Sequence, residues 1–223
     1  MNYHIVDMST YYRKRTYERF AKGPKCSISM TSQMDISQLR EWCRERNEKI
    51  NIAILYLVSR AINARPDYRM FYDFKKDEVR CYDRVNPTHY VFDPKTETCH
   101  TVNTPYDPDY AAFYKRALRD TEDAKKSDYA EPAEKPDYFN ASVMPWVSYG
   151  SFSIELPDGY LYFNPNVNWG RFFEKDGKVF LPLTIRLNHA IADGYLVSKF
   201  FLLFEEGLQN LVAKKPIRSL ANT

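Results

Sequence analysis

Glycine is scarce in this 223-residue sequence, with only seven, and none falls in a phosphate-cradling pattern. Neither a P-loop nor a dinucleotide fingerprint can be written onto the chain, which excludes the nucleotide-binding classes built on those loops. Cysteine is scarce too: Cys26, Cys43, Cys81 and Cys99 are scattered without metal-ligand spacing. They are expected to be free thiols of a reducing compartment, since a disulfide framework belongs to short secreted chains. No apolar run approaches the roughly 20 residues that span a bilayer. The N-terminus, Met1 to Phe20, is polar and Tyr/Arg-rich, unlike a signal peptide. An excess of one charge is also missing. Lys and Arg total 32 against 29 Asp and Glu, a net +3 with no basic run, so nothing points to nucleic acid. The expectation is a soluble cytoplasmic protein with no metal or prosthetic group.

What the sequence does have is apolar and aromatic matter. Apolar residues reach 44%, enough for a sizeable core, and the aromatic share is 16%, which suits the pleated, half-buried surface of a sheet. Helical periodicity predicts a helix after Asp35, where Asp35 and Gln38 resemble a capping box and Ile36, Leu39 and Cys43 share a face. A second, buried helix is predicted over Ile52–Ala64, stopped by Pro66. A third follows Asp107, and a last amphipathic one carries Leu196, Phe200, Leu203, Phe204, Leu208 and Leu211. Strands are predicted at Cys26–Asp35, Val79–Val85, His89–Asp93, Glu97–Val102, Phe139–Leu156 and Lys178–Ala190. Tyr129–Asp137, rich in proline and acid, is predicted as a surface loop. No repeat or long linker divides the chain. The pattern implies a single α/β domain over residues 1–223 with a basic tail from about 213: an α+β two-layer arrangement of helices packed on a mixed, mostly antiparallel sheet.

The segment from Lys178 to Phe200 carries the most chemistry. Val179, Leu181, Leu183, Ile185 and Leu187 occupy alternate positions and give the strand one apolar face. His189 falls on the same parity. Burial there favours a neutral imidazole, the form a general base must have at working pH. Asp193-Gly194 then turns the chain into the last helix. A histidine at a strand end is by itself more often a hydrogen-bonded structural residue. Still, no Gly-x-Ser-x-Gly and no Cys–His signature advertises a covalent nucleophile, which leaves a base acting on a substrate hydroxyl.

The run Leu187-Asn188-His189-Ala190-Ile191-Ala192-Asp193-Gly194-Tyr195 resembles the active-site motif of the chloramphenicol acetyltransferase family. Tyr12-Arg13-Lys14, Asn63-Ala64-Arg65-Pro66 with Arg69-Met70, Thr96-Glu97-Thr98 and Pro145-Trp146-Val147-Ser148-Tyr149-Gly150-Ser151-Phe152 resemble further family segments, in the family's order. The resemblance implies a coenzyme A-dependent acyltransferase fold and acetyl-CoA as co-substrate. It implies a homotrimer whose active sites lie between subunits, with no membrane or nucleic-acid partner. His189 would take the proton of a chloramphenicol hydroxyl as it attacks the thioester. Ser151 would donate to the oxyanion, and Asp193 would pair with Arg13, not with His189. Lys49 and Phe172 would contact coenzyme A, and Phe20, Cys26, Cys99, Thr101, Asn166 and Asn168 would line the acceptor pocket.

The sequence departs from the family at several of these positions. Asn188 stands where a second histidine is usual, and Ala192 and Leu196 replace a cysteine and a histidine. Phe172 replaces a tyrosine, keeping its packing and losing its hydroxyl. Cys99-His100-Thr101 takes the place of a segment that begins with phenylalanine, and Asn164, Asn166 and Asn168 share one face of an extended stretch. Amides on a pocket wall favour a more polar acceptor than chloramphenicol, because desolvating them unpaired is costly. A sister O-acetyltransferase for another hydroxyl is therefore an alternative reading, and a non-catalytic coenzyme A-binding relative is another. The acyltransferase core of a 2-oxo-acid dehydrogenase complex shares the corner motif but normally follows a lipoyl domain and linkers.

Overall fold

A computed structural model describes residues 2–126, 128–133, 135–155 and 161–213. Its elements run β1 (Tyr3–Ile5), α1 (Lys14–Lys22), β2 (Ser27–Asp35), α2 (Ser37–Glu45), α3 (Ile50–Asn63), a 3-10 turn, β3 (Met70–Asp73), β4 (Glu78–Tyr82) and β5 (Asn86–Asp93). They continue through β6 (Thr98–Asn103), α4 (Tyr110–Asp123), β7 (Tyr138–Met144), β8 (Asn166–Gly170), β9 (Phe173–Lys175), β10 (Lys178–Asn188) and α5 (Gly194–Ala213). A seven-stranded sheet has the order β2-β10-β8-β7-β5-β6, with β9 paired to one end of β10. Its β5–β7 and β7–β8 pairs are parallel and the others antiparallel. A second sheet, β1-β4-β3, is antiparallel throughout. The mixed, mostly antiparallel architecture with helices on it is the one the sequence implies.

The period of two sorts residues between the faces of the large sheet. One face carries Leu181, Leu183, Ile185 and Leu187 of β10 with Val167 and Trp169 of β8 and Phe139 and Ala141 of β7. It packs with Leu39 of α2, Leu57 of α3, Phe113 of α4 and Phe200 of α5 in the main core. The four β10 side chains are fully buried. Each contributes about 1.5–3 kcal/mol relative to exposure. The opposite face is polar across the whole sheet. In register lie Ser29, Arg186, Asn166, Asn140, Thr88 and Asn103, and beside them Thr31, Thr184, Asn168, Ser142, Tyr90 and Thr101.

Some expectations change in detail. The strand expected over Phe139–Leu156 ends at Met144, because Pro145 breaks the ladder and a loop crosses back over the sheet. Leu156 lies outside the described residues, as does the basic tail from residue 214. The capping box does not form: Asp35 accepts from the N–H and hydroxyl of Ser37 at 3.0 and 2.7 Å instead. Helix α1 and strands β1, β3 and β9 were not predicted, while the extended stretch read around Asn166 and Asn168 is β8. In α1 the signal is short, with Tyr17, Phe20 and Ala21 at helical spacing among charges. Strand β9 reaches β10 through Asp176 and Gly177 at φ 51° and 72°, the two left-handed residues of a tight hairpin.

Candidate active site

His189 follows the last residue of β10. Its N–H still bonds to Cys26 O at 2.9 Å, extending the β2–β10 ladder by one step. The chain then folds back on itself: Ile191 and Ala192 donate to Asn188 O, and Ala190 N–H donates to Asn188 Oδ1 at 2.9 Å. Asn188 thus latches the corner. Ala190 and Ile191 are fully buried in a second apolar cluster with Ala21 of α1, Met70, Val79 and Phe163. The smaller sheet and the unpredicted α1 therefore position the corner.

The imidazole is half-buried, and Phe20 of α1 stacks on it with ring centroids 3.8 Å apart and planes 11° from parallel. His189 Nδ1 lies 2.8 Å from Ala192 O. A carbonyl only accepts, so Nδ1 carries the proton of the neutral ring and Nε2 keeps its lone pair. That is the tautomer of a base acting through Nε2.

Asp193 holds the next turn. It pairs with Arg13 Nη2, and its Oδ1 accepts from the N–H groups of Tyr195 and Leu196 at 3.1 and 3.3 Å, capping α5. Burial alone would raise the Asp193 carboxyl, but the Arg13 hydrogen bond and the two backbone donors hold it below its ordinary value. Arg13 enters from the turn before α1. Beside it, fully buried Asp67 accepts from Tyr11 Oη (2.8 Å), Tyr12 Oη (2.7 Å) and Arg65 Nη2 (2.8 Å). Two of the sequence segments noted above meet there.

One group of candidates is thus gathered in a single chain: His189, Phe20, Cys26, Asp193 and Arg13. The others are elsewhere. Asn168 is buried and donates to Asn166 Oδ1 at 2.6 Å on the polar face, opposite Thr184 and Arg186 of β10. Asn164 is also buried, with Nδ2 on Tyr138 O at 2.8 Å. Thr101 and exposed Cys99 lie on β6, four strand spacings from β10. At about 4.8 Å each that is roughly 19 Å, too far to close one pocket with His189 of the same chain. Lys49 precedes α3 and its Nζ bonds to Glu122. Both side chains are about half exposed, so such a pair is worth roughly 0–1 kcal/mol. Phe172 is half-buried, with the Arg40 guanidinium 6.0 Å above its ring.

Ser151 is exposed in the loop after β7. That loop is pressed on β8 at Gly170, where a Cβ would come within 2.8 Å of the Tyr149 ring and 2.9 Å of Val147 O. The sequence reading passed over Ser142. It is half-buried on the polar face of rigid β7, in register with Asn168. The alternation Phe139-Asn140-Ala141-Ser142-Val143 was the signal, an apolar face against a polar one. No group of three or more His, Cys, Asp or Glu able to hold a metal occurs among the described residues. Nor is any helix among them long and apolar enough to cross a membrane.

The fold is shared with solved acyltransferases. A chloramphenicol acetyltransferase structure superposes with a TM-score of 0.81 at 22% identity, over 93% of this chain and 100% of that one. The dihydrolipoamide acetyltransferase of Azotobacter vinelandii superposes with a TM-score of 0.65 at 11% identity, over 94% and 90%. The class these define is the coenzyme A-dependent acyltransferase fold. In sequence, the chain is 28% identical to the chloramphenicol acetyltransferase of Clostridium butyricum, over 94% of its own length and 100% of the relative's. It is 30% identical to that of Bacillus pumilus, over 85% and 86%. Residues 1–204 match the chloramphenicol acetyltransferase family, and the chain belongs to it. It is an acyltransferase.

Proposed function

We propose that this protein transfers the acetyl group of acetyl-CoA to a hydroxyl of chloramphenicol, with His189 Nε2 as general base. The observation that carries the reading is the Nδ1–H bond to Ala192 O at 2.8 Å, which puts the lone pair of the neutral ring on Nε2 and fixes the ring plane. As Nε2 takes the hydroxyl proton, the alkoxide attacks the thioester carbonyl. Collapse of the tetrahedral intermediate expels the thiolate, which recovers the proton from His189. The developing oxyanion needs a donor worth several kcal/mol. Ser151 is the residue indicated by the sequence, and Ser142 competes with it because it stands on a rigid strand beside Asn168.

Acetyl-CoA is the donor co-substrate, with Lys49 meeting a phosphate and Phe172 packing on the coenzyme. The active protein is a cytoplasmic homotrimer. Its His189 corner faces the polar sheet face of a neighbouring subunit, where Cys99, Thr101, Asn166 and Asn168 line the acceptor site. For Cys99 and Thr101 on β6, the roughly 19 Å from β10 supports this division.

A second reading is favoured by one observation: Asn166 and buried Asn168 present hydrogen-bonded amides on the polar sheet face. A hydroxyl acceptor more polar than chloramphenicol satisfies it better. The assay follows thiol release from acetyl-CoA with chloramphenicol, and then with a panel of hydroxyl compounds. Release with chloramphenicol that falls at least a hundredfold in His189→Ala supports the first reading. Turnover confined to polar acceptors supports the second. Silence with every acceptor, coenzyme A binding being retained, sinks both.

A further inference from the structure

The 3-10 turn Pro66–Arg69, between α3 and β3, stands beside the corner without belonging to it. Two successive side chains of this turn anchor different segments. Asp67 is 1% exposed, and each of its oxygens accepts twice. Oδ1 accepts from the hydroxyls of Tyr11 and Tyr12 at 2.8 and 2.7 Å, and Oδ2 from Arg65 Nε and Nη2 at 3.1 and 2.8 Å. Tyr68, also 1% exposed, donates from its hydroxyl to Leu196 O in the first turn of α5 at 2.5 Å. Arg69 fastens the turn to the end of β4, its Nη1 donating to Tyr82 O and Asp83 O at 2.6 and 2.5 Å.

These anchorages fall on the two halves of the Arg13–Asp193 pair. Tyr11 and Tyr12 directly precede Arg13, and the Arg13 guanidinium carbon lies 5.8 Å from the centre of the Tyr12 ring. Leu196 belongs to the other half, since its N–H donates to Asp193 Oδ1. Burial and the Asp67 carboxylate push the Tyr11 and Tyr12 hydroxyls up, so both stay protonated and donate. A buried carboxylate is costly unless its charge is paired and its lone pairs are filled, which Arg65 and the two hydroxyls achieve. Arg13 is long and rotamer-rich, so its ion pair orients the segments it joins only where each is held elsewhere as well.

We infer that Asp67 is a positioning residue for His189. It fixes the Tyr11–Tyr12 turn from which Arg13 reaches Asp193, and that pair steadies the corner whose Ala192 O orients the imidazole. The inference rests on the reading of His189 as the base. The effect of Asp67 passes through Arg13, so changing Asp67 matters only while the Arg13–Asp193 pair is intact.

The test compares Asp67→Asn with Tyr12→Phe, which removes one hydroxyl and keeps the ring, each made in wild type and in Asp193→Asn. By thiol release, kcat is expected to fall roughly tenfold in Asp67→Asn and about threefold in Tyr12→Phe, with KM for acetyl-CoA within about twofold of wild type. In the Asp193→Asn background neither change is expected to lower kcat further, because the route through Arg13 is already broken. The ring-nitrogen chemical shifts of His189, read by NMR, are expected to show the Nδ1–H tautomer in wild type and a mixture of tautomers in both variants. Losses of kcat that multiply in the Asp193→Asn background, or a kcat within about twofold of wild type in both variants, would overturn the inference. Should Asp67→Asn not fold, Tyr12→Phe decides by the same criteria. A wild type that turns over no acceptor would instead defeat the reading of His189 as the base, and the ring shifts would still decide the positioning role: unchanged shifts in the folded variants overturn it.

Discussion

Changing Asp193 to asparagine leaves the Oδ1 acceptor for the Tyr195 and Leu196 N–H groups but removes the charge opposite Arg13. The two partners are unequally buried: the Arg13 side chain is 11% exposed and that of Asp193 is 40%. Arg13 Nε is already buried with no hydrogen-bond partner among the described residues. Losing the carboxylate therefore strands a buried cation, whereas losing the guanidinium leaves a carboxylate that solvent still reaches. A charge-assisted hydrogen bond to a partly buried cation is worth about 1.5–3 kcal/mol, reduced here because Asp193 is wet, so Asp193→Asn should cost about 2 kcal/mol. Arg13→Met, which keeps the stem packing, should cost about 1 kcal/mol. Asp193→Ala should add about 1 kcal/mol for the lost cap. Urea unfolding at constant m-value measures all three. Thiol-release kinetics should show kcat falling more than KM changes, because the displaced turn carries Ala192 O and misdirects the imidazole. An Arg13→Met cost exceeding that of Asp193→Asn, or an Asp193→Asn protein within about 0.5 kcal/mol of wild type, refutes the reasoning.

The oxyanion donor is decided by comparing Ser142→Ala with Ser151→Ala: the donor's loss should lower kcat by about 10²–10³, and the other change should be nearly silent. If the proposed trimer with sites between subunits holds, mixed oligomers of His189→Ala with Thr101→Trp should regain activity that neither variant has alone, because one mixed interface unites two intact halves; recovery no greater than the sum of the parents would place the site within one chain. The depressed Asp193 pKa stabilises the folded state fully above the ordinary value of 3.8, and that contribution is lost as pH falls through the lower folded-state value. Acid unfolding of Asp193→Asn should accordingly depend less steeply on pH below 3.8 than that of wild type.

Much of this molecule was legible in the order of its residues because it rests on local pattern. The alternation from Val179 to Leu187 marked a central strand, and the apolar Ile52–Ala64 stretch marked a helix that observation places at Ile50–Asn63. The corner residues His189, Asp193 and Gly194 were legible as a turn after a strand, and the resemblance supplied the partner of Asp193. Short elements were not legible. Helix α1 and strand β1 are held by contacts between segments more than 50 residues apart, such as Tyr11 to Asp67 and Tyr3 to Tyr82, and no local window contains them, while β3 pairs with the nearby β4 in a short hairpin whose alternation is too brief to read. The tautomer of His189 depended on where the chain brings Ala192 O. The standing of Ser142 depended on strand register, which aligns it with Asn168 across a parallel pair. Sequence alone determined which residues alternate, cap and turn, since those preferences act over a few bonds. Only the tertiary structure decided which faces meet, because register and burial are set by pairings that sequence distance does not encode.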